Sequence, residues 1–487
     1  MSVIVKQPFC SSDKKLLMRY PSQTGLREIL RLALPIIASM ASATVASFVD
    51  TWMIALVGTT EVAAAMPAGI TAYTLTALPF GIAQCVSTFT AQALGRGSPE
   101  EGAAFAWQGL YLSLAVGIAC LALWPAAPAF FSLFGHEPGV VVLEVAYFRI
   151  RLWGIGLSVA VGALNGFFYG IHRPRVPLIA MVFANIANIL LCYMLIFGRW
   201  GAPPFGLAGA ALALVLSFIV QLAVLLGAFL SPASHLEFAT RSAWRLTWPR
   251  LRQLLYIGWP AGIQQAIDVL SWGVLIILMV GRFGEQQLAA SNIAVQYMMV
   301  SFMPGIGLAQ ALTALVGRYL GEGNPTVAIQ RVYEGLFLAM GYMALMGVIY
   351  FFFPIPLLAL FTTDPTVIRI GSTILLCAAV FQVFDAMNVT FAGALRGAGD
   401  THGVAWITVA LLVTIFAPLS LGTVAFTNLQ SVGPWLAGTA YTICLGLALW
   451  WRFAQERWRE IDIFATGEGE KAKGAVPEPP FLNVTER

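Results

Sequence analysis

Charge is scarce in this chain of 487 residues. Asp, Glu, Lys and Arg make up 10% of it, where a soluble domain carries about 25%. A soluble fold of this size could not cover its surface with solvated side chains, and 59% hydrophobic residues exclude a disordered chain. Cys10, Cys85, Cys120, Cys192, Cys377 and Cys444 show no CxxC or metal-ligand spacing. Five of them lie in apolar segments, where cysteine serves as a small buried hydrophobe. No Walker sequence is present, which removes ATP as the energy source. The glycine pairs in "LGRGSP" (94–99) and "LGEGNP" (320–325) lack the Lys-Ser/Thr that holds a nucleotide, and read as tight turns. No basic patch interleaved with aromatics suggests nucleic acid. No nucleophile motif or His/Cys cluster suggests an enzyme: His136, His172, His235 and His402 fall near segment ends and read as surface residues.

What the chain has is apolar length. A spanning helix needs about 20 apolar residues. Twelve stretches qualify: 32–57, 64–91, 104–126, 144–170, 176–198, 206–230, 254–281, 288–316, 329–353, 370–395, 403–424 and 432–452. They lack the alternation of barrel strands, so the expected class is an all-α polytopic membrane protein. Residues 1–31 are polar and basic, and the run behind them is too long for a signal peptide. With the N-terminus placed in the cytoplasm, twenty-two of the 27 Lys and Arg fall on that side. The others are Arg149, Arg151, Arg199, Arg282 and Arg369. This bias predicts both termini cytoplasmic in a multi-pass protein of the cell (inner) membrane.

The two halves resemble each other. Residues 58–99 and 284–325 align at a constant offset, with Gly58 on Gly284, Gly81 on Gly307 and Gln84 on Gln310. "FFYGIHRP" (167–174) meets "ALRGAGDT" (394–401) at an offset one larger. Six spans per copy is even, so the copies are parallel repeats about an axis along the membrane normal. The expected organisation is a cytoplasmic segment 1–31, an N-lobe 32–234, a basic inter-lobe loop 235–253, a C-lobe 254–453 and a charged, poorly ordered tail 454–487.

Three acids lie well inside the predicted spans: Asp50, Asp268 and Asp385. A charge at bilayer depth costs on the order of 3 kcal/mol. No Lys or Arg lies deep in a predicted span, so the missing cation is expected to be a coupling ion, a proton or a transported substrate. Asn188, Gln264, Gln265, Asn292, Gln296 and Asn388 offer amides that can donate to a carboxylate or coordinate a cation. Trp52, Trp272, Phe381 and Tyr297 offer faces to organic cations.

"LPIIASM…SFVDTWMIALVG" (34–58), "GWPAGIQQAID" (258–268) and "FDAMNVTFAGALRGAGDT" (384–401) resemble the multidrug and toxic compound extrusion (MATE) family, in its NorM-like branch. The resemblance implies twelve helices in two six-helix lobes related by a pseudo-two-fold axis, working as a monomer. It implies a secondary antiporter that expels small cationic amphipathic compounds in exchange for Na⁺ or H⁺, with no other cofactor. Asp50 would belong to an N-lobe site. Asp268 and Asp385 would form a C-lobe cation site open to Na⁺. One departure concerns another branch, which has Asp four residues after the span-five Asn, where this chain has Cys192 after Asn188. The other is Asp268, where the NorM branch usually has Glu. The alternative function is a lipid-linked precursor flippase of the same superfamily, which needs deep cationic residues for a pyrophosphate.

Overall fold

A computed structural model describes residues 23–269, 271 and 276–464, and among them every regular element is helical. Water is absent from a bilayer core, so each backbone N–H and C=O must be satisfied within its own segment. The first half contains α1 (Gln23–Ala55), α2 (Thr59–Gln84), α3 (Val86–Gly95), α4 (Pro99–Leu121), α5 (Ala127–Ser132), α6 (Pro138–Gly170), α7 (Arg175–Phe197) and α8 (Gly206–Phe229). The short α9 (Pro232–Phe238) leads to the second half: α10 (Trp248–Val269), α11 (Ile276–Gly281), α12 (Glu285–Gly321), α13 (Pro325–Phe352) and α14 (Pro354–Ala359). The chain continues with α15 (Pro365–Ala398), α16 (Thr401–Leu411), α17 (Ala417–Phe426) and α18 (Val432–Ala454). Proline opens α4, α6, α13 and α15, where its missing N–H is no loss. Asp364 caps α15 by accepting from the Thr366 amide at 2.8 Å.

Among the described residues, ten helical stretches are long and apolar enough to cross a membrane. The other two of the twelve are α6, whose first turns carry Glu144, Arg149 and Arg151, and the α10–α11 segment. Two expected boundaries shift. The loop expected at 235–253 ends one helix at Phe238 and begins another at Trp248. The tail expected to be poorly ordered from 454 contains a short helical turn, Arg457–Glu460, and Trp458 and Ile463 are buried, because apolar residues interrupt its charges. The sequence beyond Phe464, and residues 1–22, lie outside the described residues.

The repeat is visible as contacts between matched positions. Gln310 Nε2 donates to Gln84 Oε1 at 2.5 Å, so a residue touches its own repeat partner. Gly95 and Gly321 do the same: a Cβ on either would lie 2.9 Å from the other's Cα. Such self-contacts occur only on a two-fold axis. The packing of α1 on α12 matches that of α10 on α2, and α1 on α7 matches α10 on α16. Gly97 and Gly323 take the same left-handed φ, 77° and 73°, in the matched turns.

The halves meet at one end. There Leu78 and Ile82 of α2 lie against Gly262 and Gly258 of α10. Thr88 Oγ1 donates to the Arg396 carbonyl at 3.0 Å, and Gln92 Nε2 to that of Gly397 at 3.1 Å. The Arg-bearing turns lie at this end, called the basic end below.

Candidate functional site

Asp50 sits on α1 facing α7. Asn188 Nδ2 donates to both of its carboxylate oxygens, at 2.7 and 2.6 Å, and Cys192 Sγ lies 3.4 Å from Oδ1. Asn188 and Cys192 are four apart and share one helix face. Asn185 Nδ2 donates to Ser42 Oγ at 2.7 Å, extending the same seam. Asn188 Oδ1 is buried without a partner. The set therefore offers a carboxylate and a free amide carbonyl, both hard oxygen donors suited to a small cation or a proton.

Asp385 lies buried on α15, and Asn388 Nδ2 donates to its Oδ1 at 3.2 Å. Asp268 sits in the last turn of α10 with an exposed surface. It is within electrostatic reach of Asp385 and of Arg396. Arg396 corrects the expectation that the acids have no fixed cation nearby. Its backbone closes α15 at the basic end, but its long side chain turns inward, and Nη2 donates to Gln264 Oε1 at 3.4 Å. Tyr441, on α18, is buried within reach of both acids. Nothing in its apolar sequence context marks it.

The structure does not bring all the expected residues together. The Tyr297 hydroxyl donates to the Leu357 carbonyl at 2.6 Å, and its own carbonyl accepts from Tyr350 at 2.7 Å, so it ties helices together. Phe381 is buried in an apolar cluster with Trp435. Asn292 and Gln296 are exposed on one face of α12, Gln265 is half-buried, and Trp52 is exposed. Trp272 lies outside the described residues.

Asp385 is not the only buried acid. Glu144 is fully buried and pairs with His136 Nδ1 at 2.8 Å. Glu334 is buried against Arg331 at 2.9 Å. His172 bridges the halves rather than sitting at the surface: Nε2 faces the Ala314 carbonyl at 3.3 Å and Nδ1 faces Arg318 Nη1 at 3.4 Å. Each of these groups already has a partner, unlike the carboxylate of Asp268, to which no described side chain hydrogen-bonds. Among the described residues no three of His, Cys, Asp and Glu cluster as a metal site.

The sequence model of the MatE family matches residues 35–194 and 260–421, one block in each half. The chain belongs to the MatE family. The family is one of polytopic membrane transporters, and both blocks include the carboxylates described above. The chain is 31% identical to the probable multidrug resistance protein NorM of Thermotoga maritima, across 71% of its own length and 74% of that protein's. To the protein of the same description from Rhizobium meliloti it is 30% identical, across 88% and 93%. A crystal structure of a MATE transporter bound to MaL6 superposes with TM-score 0.80 at 21% identity, covering 91% of this chain and 99% of that one. A eukaryotic MATE transporter gives 0.79 at 19% identity, covering 90% and 97%. These likenesses show the fold: twelve helices in two lobes.

Proposed function

We propose that the chain is a NorM-like multidrug exporter that expels amphipathic organic cations in exchange for Na⁺ or H⁺ by alternating access. The observation that carries the reading is the placement of Asp50, Asp268 and Asp385 in a two-lobed frame whose halves are sealed together at the basic end. Asp50 and Asp385 have neutral amide partners, so a cation arriving there meets uncompensated negative charge.

The basic bias assigns the sealed end to the cytoplasm, with lobes 32–234 and 254–453 joined through 235–253 and both termini on the cytoplasmic side of the cell (inner) membrane. The state described is then outward-facing. In the cycle, drug enters from the cytoplasmic side, the lobes rock, and a cation binding the carboxylates from outside favours release. Coupling requires that ion and drug prefer different states, since equal affinities shift nothing. One charge crossing the field supplies about 2.3 kcal/mol per 100 mV.

The test is dye efflux from everted vesicles with Na⁺ and pH varied separately. Wild type should show dependence on one of them, and Asp385→Asn should lose at least about tenfold of the coupled rate, the size of a 1.4 kcal/mol effect. Wild-type coupling in Asp385→Asn sinks the C-lobe part of the reading.

A further inference from the structure

We propose that Arg396 is a built-in counter-ion for Asp268, so that the mobile coupling cation is taken up at Asp385. The two carboxylates then have different tasks. The inference rests on the reading of the protein as a cation-coupled exporter and deepens it.

The geometry comes from two helices. Arg396, in the last turn of α15, sends its guanidinium to Gln264 Oε1 at 3.4 Å. Gln264 and Asp268 are four apart on α10, hence on one face, one turn from each other. Arg396 Nε is buried with no hydrogen-bond partner. A guanidinium has five donors and cannot be deprotonated in a protein. With one bond at 3.4 Å and an orphaned Nε, it has donors to spare, and the carboxylate one turn from Gln264 lies beyond ion-pair distance but within its electrostatic reach.

Asp385 is placed differently. It is eleven residues before Arg396 on the same helix, roughly 16 Å along its axis. Its bonded partner is the neutral Asn388. Asp268 interacts electrostatically with both Arg396 and Asp385. The three groups therefore form a row, positive then negative then negative, running from the sealed end inward. The row carries one unbalanced negative charge when both acids are ionised, located toward Asp385. One monovalent cation neutralises it. The guanidinium also repels a cation moving past Asp268 toward the sealed end.

Thr88, from the first half, holds the Arg396 carbonyl at 3.0 Å. Parting the halves at this end breaks that bond, so the placement of Arg396 depends on the state of the lobes.

The experiment is a double-mutant cycle in the full-length chain, reconstituted in liposomes with a cationic dye as probe. The readout is the concentration of coupling ion, Na⁺ or H⁺, that gives half-maximal export. Asp268→Asn leaves the Arg396 charge without its counter-ion, so that the row no longer has a net negative charge, and should raise that concentration about tenfold. Adding Arg396→Gln should bring it back to within about threefold of wild type. Arg396→Gln should not rescue Asp385→Asn. If the two changes at 268 and 396 combine additively, the pairing is overturned.

A second readout does not depend on transport: the melting temperatures of the same purified variants. The two single variants should melt lower than the double, and a double that melts lowest of the three overturns the pairing. If wild-type export ignores both Na⁺ and pH, the exporter reading fails, while the melting cycle still decides the pair.

Discussion

At the scale of single residues, the acids were readable because a carboxylate in an apolar run is costly and therefore conspicuous. Asn188 was readable as an amide in the same class of segment, and it holds Asp50 at 2.6–2.7 Å. Its removal exposes what that bond contributes. Asn188→Ala strips both charge-assisted bonds from a half-buried carboxylate and should destabilise the protein by about 2 kcal/mol. Thermal unfolding in detergent measures it, and Asp50→Asn in the same background should recover most of the loss. Arg396 was not readable, since a basic residue beside a turn is normally solvated. Its four-bond stem lets the head group lie well away from its Cα, and its partner Gln264 is remote in sequence. Glu144 was hidden because it stands at the very start of a predicted span, where sequence does not show its pairing with His136.

At the scale of elements, the twelve helices follow from hydrophobic length, and their ends follow from proline and glycine. The segment after α18 does not. Its charges suggested a solvated tail, yet its apolar residues bind it across the molecule. Trp458 stacks on Phe453 at 5.0 Å. Phe464 packs edge-on to Phe89 and Phe105, at 5.9 and 5.8 Å. Arg96 lies 4.4 Å from the Phe464 ring centre and pairs with Asp462 at 2.7 Å. The end of the second half is thus strapped onto α3 and α4 of the first. Phe464→Ala should cost about 1–2 kcal/mol, less than a fully buried phenylalanine. Ending the chain after Glu456 should weaken the seal at the basic end. Thiol labelling of an Ala91→Cys probe, buried in wild type, should then accelerate, and an unchanged rate would show that the strap is not part of the seal.

At the scale of the whole molecule, the repeat was readable from paired turns, and the structure converts it into self-contacts on the axis. Those contacts leave no room. A Cβ on Gly321 would lie 2.3 Å from the Gln92 carbonyl oxygen and 2.9 Å from the Gly95 Cα. Gly321→Val should therefore force the halves apart at the basic end, seen as a longer spin-label distance between them. The asymmetric part of the seal is His172. Its repeat partner is Gly399, which takes a φ of 90° as glycine readily does. His172 holds the left-handed φ of 59° with a side chain attached, a strain of order 1 kcal/mol. The imidazole in return spans the halves between the Ala314 carbonyl and Arg318. Arg318 always donates, so Nδ1 must accept and the ring must be neutral. Burial pushes His172 below its ordinary value of 6.5 and the Arg318 charge adds to this, while Glu28 and Glu322 pull the other way. A lowered pKa means the sealed state binds the proton less well than the parted one. The latch is therefore intact above about pH 6.5 and weakens as the pH falls below it. Spin labels across the basic end should report a growing separated population between pH 7.5 and 5. His172→Asn keeps a residue tolerant of the left-handed backbone and removes the titration. Its distance distribution should not change over that range, and a pH response surviving in this variant would assign the switch to another group.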